Sequence, residues 1–345
     1  MVKILVIGNG FDKAHGLKTG YGDFLKWIQY IVGKDDPYIR SGEHPITKEE
    51  LQESTNIRNN YPGIFREIKE NKDNFWIFHF IKIENELGPK WLDFESEIER
   101  VTKGLFNDEN VTFKNVASPL KRISSRELQI PKFVNEAGVF EWLEDELNKT
   151  RRLLEIYLCL CANNTIGNDA RLPLFSHIKA NKLISFNYTM TYQNVYNKTI
   201  STDYIHGRAR LNHKKNEICN LVLGFDDHYF DSANTIQALI PFEKYYQRIV
   251  YRNSNEYFNW IDAKDKYGND EEKEVHFYGH SMSPADGDII RLLIEGENTK
   301  TKIYYRKDHE EDRASMIKNL AIILTPNGLI KRMGGRNPTI ELISI

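Results

Sequence analysis

Residues 2–12 read Val2-Lys3-Ile4-Leu5-Val6-Ile7-Gly8-Asn9-Gly10-Phe11-Asp12, an apolar, β-branched run that stops at two glycines. Such a run predicts a buried strand, and its Gly-x-Gly stop predicts a backbone turn delivered to a ligand crevice, as in parallel α/β folds that hold nucleotides. The same glycines would also suit a plain tight turn. The dinucleotide fingerprint of hydride-transfer enzymes calls for a third glycine where this chain has Lys13, and no second strand ending in an acid follows at the expected distance. A nicotinamide dehydrogenase is therefore disfavoured. Asn9 and Asp12 read either as ligand groups or as local caps, because both side chains bond readily to nearby backbone.

The chain of 345 residues is long enough for one large domain or two. Its 47 Lys and Arg nearly balance 49 Asp and Glu, for a formal net charge of -2. That balance argues against a protein that tracks a nucleic-acid backbone, which needs a basic excess or stripe. Three cysteines, Cys159, Cys161 and Cys219, cannot build a disulfide framework or a four-thiolate metal site. The only early apolar run is interrupted by the glycines, and no 18-residue apolar span occurs, so neither a signal peptide nor a membrane segment is expected. A cytoplasmic residence follows as the expectation.

Apolar spacing predicts a helix over 21–32, then a polar, Pro- and Gly-containing stretch at 34–63 expected to be exposed with at most a short helix. Two amphipathic helices are predicted on either side of Gly88-Pro89, and a longer helical block over 139–163. Strand character returns at 182–186, 204–205, 221–223, 275–278 and 301–305, with a helix at 285–293. The expected architecture is an α/β fold with a Rossmann-like parallel sheet built from residues 1–33 and 175–345. Residues 34–174 form a largely helical insertion or cap. Several of these short runs end in polar or glycine-containing motifs: Asn187-Tyr188-Thr189, His206-Gly207, Gly224-Phe225-Asp226-Asp227 and Gly279-His280-Ser281-Met282. Open α/β sheets gather ligand groups at such strand ends.

The opening motif with Ala14-His15-Gly16-Leu17, then Asp93-Phe94-Glu95, Ser185-Phe186-Asn187-Tyr188-Thr189, Ile205-His206-Gly207, Gly224-Phe225-Asp226 and Gly279-His280-Ser281-Met282 with Asp286, together resemble the AbiH family of bacteriophage abortive-infection proteins. The resemblance spans nearly the whole chain and implies a role in bacterial defence and a sirtuin-like nucleotide-binding fold. Many defence proteins with such a domain are NAD-consuming hydrolases. By that resemblance Asn187 and His206 match the two residues on which those enzymes depend. The chain departs from the pattern in two places: Gly8-Asn9-Gly10-Phe11-Asp12 replaces the usual Gly-Ala-Gly-x-Ser start, and Thr189 replaces the acid of the Asn-Tyr-Asp sequence. A zinc-bearing deacetylase is disfavoured, since no Cys-x-x-Cys pair is present.

The expected substrate is NAD, hydrolysed without a metal. Asn187 would bind water or a ribose hydroxyl, and His206 would accept a proton. Gly8, Asn9, Gly10, Phe11 and Asp12 would shape the pyrophosphate loop. His15, His280, Ser281 and Asp286 are secondary candidates for nucleotide contact, and Asp286 could instead cap the helix that follows it. Two other readings stand beside this one. One is a nucleotide sensor without turnover; the other is a metal-dependent nuclease using acids such as Asp12, Asp226 and Asp286. A homo-oligomer and a phage-derived trigger are the expected partners.

Overall fold

The computed structural model describes residues 1–31, 46–88, 93–107, 114–124, 130–133, 135–162, 171–214, 217–226, 237–307 and 309–345. Among them, β1 (Val2–Ile7), β2 (Lys182–Ser185), β3 (Ser201–Tyr204), β4 (Lys273–Tyr278), β5 (Thr299–Tyr305) and β6 (Ile340–Ser344) form one sheet in the order β3-β2-β1-β4-β5-β6. Every pairing is parallel. The chain steps outward from β1 to β3, returns, and steps the other way from β4 to β6. The reversal therefore falls between β1 and β4, where open α/β sheets bind ligands beyond their strand ends. The α/β, Rossmann-like parallel sheet expected from the sequence is present.

Both faces of β1 are buried, which explains its nearly continuous apolar run. Val2, Ile4 and Val6 join Ile184, Val275, Phe277 and Ile303 on one face, beneath the helices Glu256–Ile261, Gly287–Glu295, Glu310–Leu324 and Pro326–Met333. Leu5 and Ile7 join Leu183 on the other, against Phe11, Phe175, Ile178 and Tyr192.

The chain divides into two compact units, residues 1–18, 161–208 and 248–345 in one, and 19–160 and 209–247 in the other. The sheet lies in the first unit. The second is helical, with Tyr21–Ile31, Lys48–Asn60, Pro62–Asn71, Phe75–Leu87, Phe94–Asn107, Ala117–Ser124 and Glu136–Leu160. Phe94 stacks on Phe80 and Tyr21 at its centre, at 3.7 and 4.1 Å between ring centroids. The boundaries differ from those read in the sequence, since the first long helix and residues 209–247 group with the helical unit.

Two local expectations are corrected. Within 34–63, the helix Lys48–Asn60 runs for 13 residues, started by a reciprocal cap between Thr47 and Glu50. Residues 34–45 of that stretch lie outside the described residues. The run Leu221-Val222-Leu223 is fully buried but is not a strand. Gln247 accepts from Leu223 N–H at 2.8 Å and donates to Leu223 O at 3.0 Å, while Arg151 donates to Leu221 O at 2.9 Å. Side chains thus satisfy backbone groups that a neighbouring strand would otherwise have to meet.

Candidate functional site at the sheet reversal

Register brings the site together. Ile7 pairs with Ser185 and with Tyr278, and Ser185 pairs with Tyr204. Strands β1, β2, β3 and β4 therefore end level, and Gly8, Phe186, Ile205 and Gly279 all leave the same edge of the sheet. Asn187, His206 and His280 each follow by one residue, which is why motifs scattered over 270 positions converge.

Asp286 joins two histidines. Its Oδ1 lies 3.1 Å from His206 Nε2 and its Oδ2 lies 3.5 Å from His280 Nε2. The three residues are only 9, 5 and 5 % exposed, so these contacts are largely shielded from water. Asp286 sits at the N-cap position of the helix Gly287–Glu295 yet makes no capping hydrogen bond, because its carboxylate is turned to the imidazoles instead.

The backbone determines how His280 carries its proton. Met282 N–H donates to His280 Nδ1 at 3.0 Å, which leaves Nε2 as the N–H that faces Asp286. Met282 reaches this position with φ at 56°, in the left-handed region that a methionine rarely adopts, and its fully buried side chain anchors it there. Phe186 packs edge-on against both rings, at 5.3 Å from His206 and 4.5 Å from His280. Tyr188, half-buried, lies 6.4 Å from His206. Phe186 and Met282 were not singled out from the sequence; their residue types carry no signal, and only their neighbours in the motifs do.

Asn187 lies at this edge, 5 % exposed. Ser185 Oγ donates to Asn187 O and accepts from Asn187 N–H, which shapes the turn. Its amide Nδ2 donates to Gly8 O at 3.0 Å, latching the loop after β2 onto the loop after β1. The glycines serve close chain packing. A Cβ on Gly8 would stand 2.8 Å from Gly279 O, and one on Gly279, where φ is 65°, would stand 2.2 Å from Phe11 N. Gly8 N–H donates to Tyr278 O, Gly10 N–H to Gly279 O and Phe11 N–H to Gly8 O, at 3.1, 2.8 and 2.8 Å. The donors expected to face a pyrophosphate are thus bonded within the protein.

Other candidates disperse. Phe11 is core, packed on Phe175 and Tyr278. His15 donates from Nδ1 to Phe11 O at 2.7 Å and accepts at Nε2 from the Tyr196 hydroxyl at 2.8 Å, with burial holding its pKa below the usual value. Asn9 and Ser281 are exposed. Asp12 is 1 % exposed and accepts at Oδ2 from the Thr189 hydroxyl at 2.6 Å, while its Oδ1 has no hydrogen-bond partner. Burial pushes its pKa up to about 6, with the polar side chains of Thr189, Thr191 and Asn187 drawing it partway back.

Within the helical unit, Asp93 Oδ1 accepts from Glu95 N–H and Ser96 N–H at the start of Phe94–Asn107, and Glu95 pairs with the buried Lys244 at 2.8 Å. Asp227 lies outside the described residues. Among the described residues no group of three or more His, Cys, Asp or Glu side chains is arranged to hold a metal ion, and no helix is long and apolar enough to cross a membrane.

Comparison with curated proteins and with solved structures gives no match. Comparison with protein families does: the family described as bacteriophage abortive infection AbiH matches residues 4–306, a span that runs from within β1 to the end of β5 and takes in every strand-end motif, and the chain belongs to that family.

Proposed function

We propose that this chain acts in abortive infection by hydrolysing the bond between nicotinamide and ribose in NAD. The observation that supports this reading is the carboxylate of Asp286, withdrawn from capping its own helix and held between His206 and His280. A nearly buried imidazole beside a carboxylate is suited to taking up a proton, because the ion pair with Asp286 stabilises the imidazolium formed.

In this reaction a water oxygen bonds to the ribose carbon as the carbon–nitrogen bond breaks. The departing electron pair goes to the nicotinamide nitrogen and neutralises its ring, and the proton released by water goes to His206. Asn187 keeps its Nδ2 on Gly8 O and uses its amide oxygen to orient the water or a ribose hydroxyl. His280, with its Nε2–H fixed toward Asp286, holds the carboxylate in place.

The test is cellular. NAD and nicotinamide are measured through phage-triggered growth arrest in cells carrying the native chain, Asn187→Ala, His206→Ala or Asp286→Asn. The expected result is NAD loss with the native chain and none with the variants at equal protein abundance. Growth arrest with unchanged NAD in native cells rejects the proposal.

A further inference from the structure

Asp12 is a buried acid that the hydrolytic scheme does not use. It lies on the short helix Asn9–Ala14 and accepts the Thr189 hydroxyl, whose oxygen is in turn 3.0 Å from the Thr191 hydroxyl. Thr189 stands two residues beyond Asn187 in the turn whose amide latches Gly8. The loops after β1 and β2 are therefore joined twice, by Asn187 to Gly8 O and by Thr189 to Asp12.

No cation pairs with Asp12 among the described residues. Tyr204 at the end of β3 is kept neutral by burial, which pushes its pKa up to about 12, and Arg208 lies over the Tyr204 ring at 5.9 Å. His15, the residue that ends this helix, has both ring nitrogens bonded elsewhere. A carboxylate enclosed among uncharged polar side chains, with its Oδ2 on the Thr189 hydroxyl, is costly to keep ionised. An asparagine would remove that cost but would put an NH2 donor in place of one of the two acceptor oxygens that the Thr189, Thr191 and Asn187 side chains surround, so the acid is explained by what it presents to that turn and not by stability.

We infer that Asp12 is a positioning residue, whose carboxylate holds the Thr189 hydroxyl and through it sets the Asn187 turn at the edge of the site. The inference rests on reading the sheet reversal as the functional site, and not on NAD being the substrate. A misplaced turn costs function steeply, because reacting groups tolerate little displacement.

The experiment uses the full chain as native protein, Asp12→Asn, Thr189→Val, Thr189→Ser and His206→Ala. Each is scored for phage plaquing in cells and, once purified, for melting temperature near about pH 4 and about pH 7.5. Asp12→Asn is expected to melt about 2 °C or more above the native chain at the higher pH and close to it at the lower. Its protection against phage is expected to fall about tenfold or more, as is that of Thr189→Val, while Thr189→Ser stays within about threefold of native. Full protection by Asp12→Asn or by Thr189→Val overturns the inference. So does lost protection accompanied by a lower melting temperature in Asp12→Asn, which marks a structural role. Full protection by His206→Ala rejects the NAD scheme and leaves the Asp12 result to be read on protection alone.

Discussion

Two buried carboxylates, one in each unit, are held in opposite ways. Glu155 in the helical unit is fully buried, and its Oε2 meets Arg152 at 2.8 Å and His213 at 2.9 Å while Oε1 accepts from Arg210 N–H at 3.0 Å. Arg152 further binds Glu67 and donates to the carbonyls of Arg210 and Leu211, so this network ties the returning segment from residue 209 onto the helix Glu136–Leu160. Asp12 is as deeply buried, but among the described residues only uncharged polar side chains meet it. The comparison separates an acid that holds a fold together from one that the fold tolerates at a cost, and the second kind marks sites of function more often than the first.

The sharpest way to break this contrast is Glu155→Gln. Removing one member of a buried ionic network strands its partners, so a loss of about 3–5 kcal/mol is expected in urea unfolding. Asp12→Asn should have the opposite sign. The Asp12 pKa of about 6 in the folded chain lies above its ordinary value of 3.8, so its favourable contribution is present below the ordinary value and is lost as pH rises through about 6. Denaturation from about pH 4 to about pH 8 should therefore show the native chain falling below Asp12→Asn by up to about 3 kcal/mol at the upper end. A native chain that holds level with the variant across this range would show that Asp12 is as well compensated as Glu155.

Smaller changes sharpen the same contrast. His213→Gln removes one of three groups on Glu155 and should cost about 1–2 kcal/mol by the same measurement. Thr189→Ser keeps the hydroxyl that Asp12 accepts and should change stability by less than about 0.5 kcal/mol. A larger loss would mean that the Thr189 methyl, more than its bond to Asp12, fixes the turn.

Much of the sheet was legible because β1, β2 and β4 are short apolar runs with polar stops, and the register that levels their ends is a property of parallel pairing. β6 was missed: only Ile340 of its residues is buried, as suits an edge strand with little apolar pattern. The helix Lys48–Asn60 was missed because it buries only Ile57, although the Thr47-Lys48-Glu49-Glu50 cap marks its start. Leu221–Leu223 has the composition of a strand, and nothing local tells that Gln247, 24 residues away, supplies its hydrogen bonds.

At the site, the candidates Asn187, His206, His280 and Asp286 could be named, but not their arrangement. Asp286 is equally suited to capping and to pairing with a histidine, and only the fold decides. The opening glycines likewise report close backbone approach without saying to what. Here the neighbour is the loop after β4.

The proton on His280 is insulated from mutation in an unusual way. Its donor is the main chain of residue 282, so replacing the methionine side chain leaves the hydrogen where it is, provided the backbone keeps its left-handed turn. Proline, the one residue without that hydrogen, cannot adopt a positive φ. Sequence drift at position 282 is therefore filtered by conformation before it can alter the tautomer, and homologues are expected to vary there toward glycine and asparagine, the residues for which that turn is least costly.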